Sequence, residues 1–175
     1  MAVPWQLSGG SFYFGAGLNN KMQKEHENYM QQCLRLAKVA LATGNPPVGA
    51  LLVYKGEVIG KGVEAGRSTG DVTNHAEIVA VRNAIDNGYL KQLHLATMYT
   101  THEPCLMCSY VIRHHKISKI VYGTSVPLVG GATSKFNILS TQDVPKWGDK
   151  PTIISGVYRA ECDLLSEEFR KANNL

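Results

Sequence analysis

Apolar side chains first fall into a regular period around Lys24. Met30, Cys33, Leu34, Ala37 and Leu41 follow helical spacing, and Gly44 with Pro46-Pro47 predicts the stop. Val48–Tyr54 and Glu57–Lys61 read as two short strands with a turn at Lys55-Gly56. His75–Ile85 reads as a helix, because Ala76, Val79, Ala80 and Ala84 share a face and Asn87-Gly88 closes it. Ala96–Thr101 is a predicted strand. Pro104 suits the first turn of a helix over Cys105–His115. Ile117–Tyr122 and Thr152–Tyr158 read as strands, and Ala160–Ala172 as a terminal helix. Between them, residues 123–151 are rich in Gly and Pro, with one turn of helix expected near Phe136–Leu139. A helix, a hairpin and then alternating helices and strands predict an α/β fold, a three-layer sandwich.

Residues 1–20 stand apart. They carry no charged side chain, are rich in Gly, and show neither helical nor strand periodicity around Trp5, Phe12, Tyr13 and Phe14. The expectation is a leader over residues 1–22, flexible or artificial, with Met22 suited to be a natural start and the domain proper over 23–175. A docking arm for a neighbouring subunit is the alternative.

The 175 residues suit one well-buried domain. With 44% hydrophobic and 18% charged residues, pervasive disorder is excluded. The net charge of +4 permits a nucleic-acid partner, but no clustered Lys/Arg run demands one. No stretch approaches the roughly 18 apolar residues of a membrane span. No secretory signal precedes the four cysteines, so a cytoplasmic location is expected. There, a C-x-x-C pair is more often a metal or redox site than part of a disulfide framework.

Two short motifs carry candidate chemistry: His75-Ala76-Glu77 and Pro104-Cys105-Leu106-Met107-Cys108. Each begins a predicted helix. Cys105 and Cys108 lie three apart, hence on one face of the first turn, where the helix dipole lowers a thiol pKa. One imidazole and two thiolates make three ligands for a tetrahedral zinc whose fourth position stays open to water, the arrangement of a catalytic site. Glu77 lies two residues past His75, poorly placed as a ligand and well placed to move protons beside that water. A redox C-x-x-C leaves His-x-Glu unexplained. A structural zinc site wants a fourth protein ligand, and none of His26, His94, His102, His114, His115, Cys33 and Cys162 has paired spacing with the motif. H-x-E followed by P-C-x-x-C is the pattern of zinc nucleobase deaminases.

At these residues the chain resembles the cytidine deaminase superfamily, in particular the branch of tRNA adenosine deaminases and guanine deaminases. Pro47-Val48-Gly49-Ala50, Glu103-Pro104-Cys105, Lys119–Gly123, and Glu161-Cys162 with Phe169-Arg170 match in order. The resemblance implies a mixed five-stranded sheet between helical layers, one Zn2+ per chain, and a homodimer. It also implies that the Ala76 amide and residues around Asn45 line the pocket. Two departures bear on substrate. Glu64 stands where the family places Asn, exchanging a mixed donor–acceptor for a pure acceptor. Thr124–Gly131 carries no charge where the tRNA enzymes contact RNA. His102, before Glu103, is placed either to reach substrate or to form a surface pair. Substrate contacts are therefore expected at Asn45, Glu64, Ala76 and His102.

The function expected is a zinc-dependent hydrolytic deaminase of a free nucleobase, nucleoside or small amino-heterocycle, releasing ammonia, with nucleic acid disfavoured. The alternatives are a tRNA adenosine deaminase and a non-catalytic zinc-binding partner subunit.

Overall fold

The computed structural model describes residues 16–175. Helix α1 spans Ala16–Ala42 and leads into the hairpin β1 (Gly49–Tyr54) and β2 (Glu57–Val63). The short α2 (Gly66–Thr69) precedes α3 (Ala76–Asp86). A 3-10 segment over Leu90–Leu95 leads to β3 (Thr97–His102), followed by α4 (Leu106–His114) and β4 (Lys119–Thr124). A long connection with a 3-10 turn at Pro145–Trp147 reaches β5 (Thr152–Ser155), and α5 (Arg159–Ala172) closes the chain. The sheet order is β2-β1-β3-β4-β5. β1 is antiparallel to both β2 and β3, whereas β3, β4 and β5 run parallel, so the mixed five-stranded sheet is as expected.

Strand alternation sorts the core into two layers. Ala50, Leu52, Met98, Ile120 and Tyr122 face Ala76, Ala80, Ala84 and Ile112 of α3 and α4. Leu51, Val53, Tyr99 and Val121 face Met30, Cys33 and Cys162 of α1 and α5. Cys33 and Cys162 are thus buried core residues, as small thiols usually are.

Several boundaries differ from the sequence pattern for local physical reasons. Helix α1 begins well before Lys24. Residues 20–25 are all exposed, and His26 is the first buried side chain among those described, so no apolar stripe marks this stretch. The expected leader lies partly outside the described residues, while residues 16–22 belong to α1. β2 runs on to Val63, paired with Gly49. β5 stops at Ser155, because Gly156 and Tyr158 take left-handed φ values of 86° and 55° that turn the chain into α5. Residues 136–139 form turns and not a helical turn.

The hairpin and α3 meet unusually closely. A Cβ built on Gly62 would stand 1.8 Å from the Ala76 carbonyl oxygen and 2.7 Å from the Ala80 nitrogen, and one on Gly60 would stand 2.3 Å from the Ala80 oxygen. The backbone of α3 therefore lies directly on β2, and His75 and Glu77 are positioned from there. Overpacking ordinarily costs about 1–3 kcal/mol, and a clash with fixed backbone falls at the upper end. Gly62→Ala is expected to lower the urea midpoint by an amount equivalent to about 3 kcal/mol or more, and to lower zinc content in parallel. Unfolding curves and metal analysis of the purified variant check both.

Candidate metal and catalytic site

His75 and Cys105 occupy equivalent places, each the N-cap of the helix it introduces. Their backbones are extended, with φ/ψ of −68°/144° and −69°/177°, and neither side chain caps its helix. Ordinarily an N-cap side chain is spent on the helix's own free amides. Here both remain available to a ligand. Cys108 follows one turn into α4 and is fully buried.

The ligand atoms converge. His75 Nδ1 lies 3.5 Å from the Sγ atoms of both Cys105 and Cys108, and the two sulfurs are 3.7 Å apart. A tetrahedral ion with Zn–S near 2.3 Å and Zn–N near 2.0–2.1 Å requires edges of about 3.8 Å between sulfurs and about 3.6 Å between sulfur and nitrogen. The triangle and the donor set therefore both fit zinc. Among the described residues, these three form the one cluster of His, Cys, Asp or Glu ligand atoms suited to a metal. When bound there, zinc supplies a Lewis acid that brings a water at its open position to a pKa of about 7.

In the metal-free site the three ligands share protons unequally. Its hydrogen bond with Cys108, and then that with His75, holds the Cys105 thiol down to about 4. The hydrogen bond to Cys105 raises His75 to about 9. Cys108, sharing its proton with Cys105 in a buried place, is pushed well up. Glu77 is buried beside this cluster, and desolvation raises its carboxyl. Oε1 accepts from the Thr100 hydroxyl at 2.9 Å, and Oε2 lies 3.4 Å from Cys108 Sγ. The carboxylate thus stands against the ligand cluster without joining it.

The remaining predicted contacts are placed differently. Glu64 is 5% exposed and lies at the end of β2. Its Oε1 accepts from the Gly66 amide at 3.0 Å and its Oε2 from the Ala76 amide at 3.3 Å. It therefore caps the first amide of α3, the same amide expected to serve substrate. Asn45 is buried. It donates to the Ser68 and Thr43 hydroxyls and accepts from the Ser68 amide, tying the entry to β1 onto α2. Both ring nitrogens of His102 are engaged, by Ser166 Oγ at 2.9 Å and Thr101 Oγ1 at 3.2 Å. Burial pushes its pKa down to about 4. With both nitrogens taken, His102 braces β3 against α5.

Two residues given no role from sequence shape the site. Thr100 supports Glu77, as above. Glu103 is 2% exposed and accepts from the amides of Val126, Ala132 and Thr133 at 2.7–2.8 Å. It straps the segment after β4 over the start of α4, where Gly130 forms a bridge with Cys105. A Cβ on Gly130 would come within 2.3 Å of that carboxylate. The hint in the sequence was a polar residue at a layer position otherwise apolar (Thr100 after Met98), and an acid before Pro104.

This geometry is that of the zinc-dependent hydrolases that exchange a ring amino group for oxygen. The chain belongs to the family described as the cytidine and deoxycytidylate deaminase zinc-binding region, whose sequence profile matches residues 23–124. A tRNA-specific adenosine deaminase of Aquifex aeolicus (strain VF5) is 36% identical over 85% of this chain and 96% of its own. The tRNA-specific adenosine deaminase 2 of Xenopus laevis is 34% identical over 87% of this chain and 91% of its own. A solved structure from studies of A-to-I editing by tRNA deaminases at the wobble position superposes with a TM-score of 0.72. It shares 32% identity and covers 79% of this chain and 98% of that one. The protein is a zinc-type aminohydrolase.

Cys105→Ala is expected to lose both zinc and activity. Binding needs both thiols and the imidazole deprotonated. With His75 and Cys108 protonated at neutral pH, metalation of the apoprotein should release protons, and zinc affinity should fall as pH falls. Elemental analysis, and zinc titration in two buffers of different ionisation enthalpy, measure these outcomes.

Proposed function

We propose that this chain is an adenosine deaminase of tRNA, converting adenosine to inosine in an anticodon loop. One observation carries the reading: the match to relatives of that activity extends over at least nine-tenths of their length at 34–36% identity. This favours what the sequence pattern placed second, ahead of the free-heterocycle reading. In the reaction, water adds its oxygen to C6 and the C6–N bond breaks, releasing ammonia. Glu77 takes the proton from the attacking water and passes it to the ring nitrogen. It then delivers a proton to the departing amine. Its burial against the ligand cluster suits that task. A cytoplasmic homodimer is part of the same proposal. No helix among the described residues is long and apolar enough to cross a membrane.

A second reading, deamination of a small free amino-heterocycle, is favoured by two observations. Glu64 places a buried acceptor at the Ala76 amide, suited to a ring presenting N–H donors. The segment Thr124–Gly131 offers RNA no cation.

Ammonia release from an anticodon stem-loop, measured beside a panel of free bases and nucleosides, separates the two. Turnover of the stem-loop alone supports the tRNA reading, and turnover of free compounds alone overturns it. Glu77→Gln should retain zinc and fold while losing activity by about 10²–10⁴-fold or more, as befits a group that handles every proton. Rates within a few-fold of wild type would remove Glu77 from the mechanism. Glu64→Gln should lower kcat/KM on a free heterocycle by roughly ten- to a hundred-fold with zinc unchanged, if Glu64 reads that substrate.

A further inference from the structure

We propose that Thr100 is a positioning residue for proton transfer. Its hydroxyl clamps one oxygen of the Glu77 carboxylate, so that the other is presented to the ligand cluster. The inference rests on the family's deaminase chemistry and not on which substrate is turned over.

The clamp is rigid at its base. β3 is bonded on both sides, and Thr100 is in register with Ala50 of β1 and Tyr122 of β4. It is fully buried. A β-branched side chain on a central strand has little χ1 freedom, so the position of Oγ1 follows from the backbone. That oxygen donates to Glu77 Oε1 at 2.9 Å. Oε2 is left 3.4 Å from Cys108 Sγ, on the side of the metal ligands.

Glu77 itself has the opposite character. It has three side-chain torsions, and the last is broad and roughly two-fold. Unclamped, the carboxylate plane is free to turn, so neither oxygen is held toward the ligand cluster. A group that collects a proton on one side and returns it on another needs a fixed pivot, and misplacement by about 1 Å can cost on the order of a hundredfold in rate.

Packing does not call for a hydroxyl here. On this face of the sheet, Thr100 follows Met98 and stands beside Ala50, Leu52, Ile120 and Tyr122 in an otherwise apolar layer. Valine would fill the same space. What threonine adds there is the donor to Glu77.

The test compares Thr100→Val and Thr100→Ser with wild type on the substrate turned over fastest, whether stem-loop or free compound. Zinc per chain, kcat and KM are measured for each. Thr100→Val should retain one zinc and wild-type KM within about twofold, while kcat falls roughly ten- to a hundred-fold, in line with loss of a hydrogen bond to a charged group. Thr100→Ser keeps the hydroxyl and should stay within about threefold of wild type. Three results overturn the proposal: unchanged kcat in Thr100→Val, equal impairment of both variants, or loss of kcat only in step with loss of zinc. Should Thr100→Val fail to fold, Thr100→Ser decides alone. Impairment beyond tenfold in that variant, with zinc retained, makes side-chain shape and not the hydroxyl responsible. Failure of the tRNA reading changes the substrate in the assay and leaves this comparison intact.

Discussion

Two helix starts, separated by 30 residues of sequence, must bring a ring nitrogen and two sulfurs within 3.7 Å of one another. Much of the fold on one side of the sheet serves that approach. α3 is pressed onto β2 across Gly60 and Gly62, where only a missing side chain allows backbone to meet backbone. α4 is fastened by the Glu103 strap, whose segment pairs with Cys105 and accepts the Leu106 amide at Val129. β3 between them supplies the fixed surface. A site preformed in this way binds metal in the folded state far better than in the unfolded chain, so metal binding adds to folding stability.

The local electrostatics follow from the same placement. N-cap side chains that do not cap are free for coordination, and a helix N-terminus favours negative charge, as on a thiolate or the Glu77 carboxylate. Burial opposes ionisation of Glu77, while the Thr100 hydrogen bond favours it. A carboxyl balanced between those influences can accept a proton and give it up again.

The substrate side is built on different principles. The uncharged segment after β4 was expected to matter for the RNA contacts it lacks. In the fold it is a strap organised around a buried carboxylate, with Pro127, Leu128 and Val129 exposed at its tip. Its composition therefore has a structural cause, whatever substrate the site takes. Glu64 presents the same ambiguity in smaller form. The carboxylate that would read a ring also caps α3, and the Ala76 amide cannot serve Glu64 and a substrate at once.

Alternation and helical periodicity determined the layers, the hairpin and the order of elements, because burial on one face imposes those periods directly on the residues. Motif spacing singled out His75, Cys105 and Cys108, which the fold brings together, and Glu77, which it buries against them. Tertiary structure alone decided the rest. Residues 20–25 of α1 are exposed, so no apolar pattern could announce them. His102 pairs with Ser166, 64 residues away, and Asn45 with Ser68, so their partners leave no local trace. Thr100 and Glu103 read locally as an ordinary strand threonine and a charge before a proline. Their tasks arise only where β3, α3 and the strap come together, because a hydrogen bond depends on where two groups meet in space, and the sequence records only where each lies along the chain.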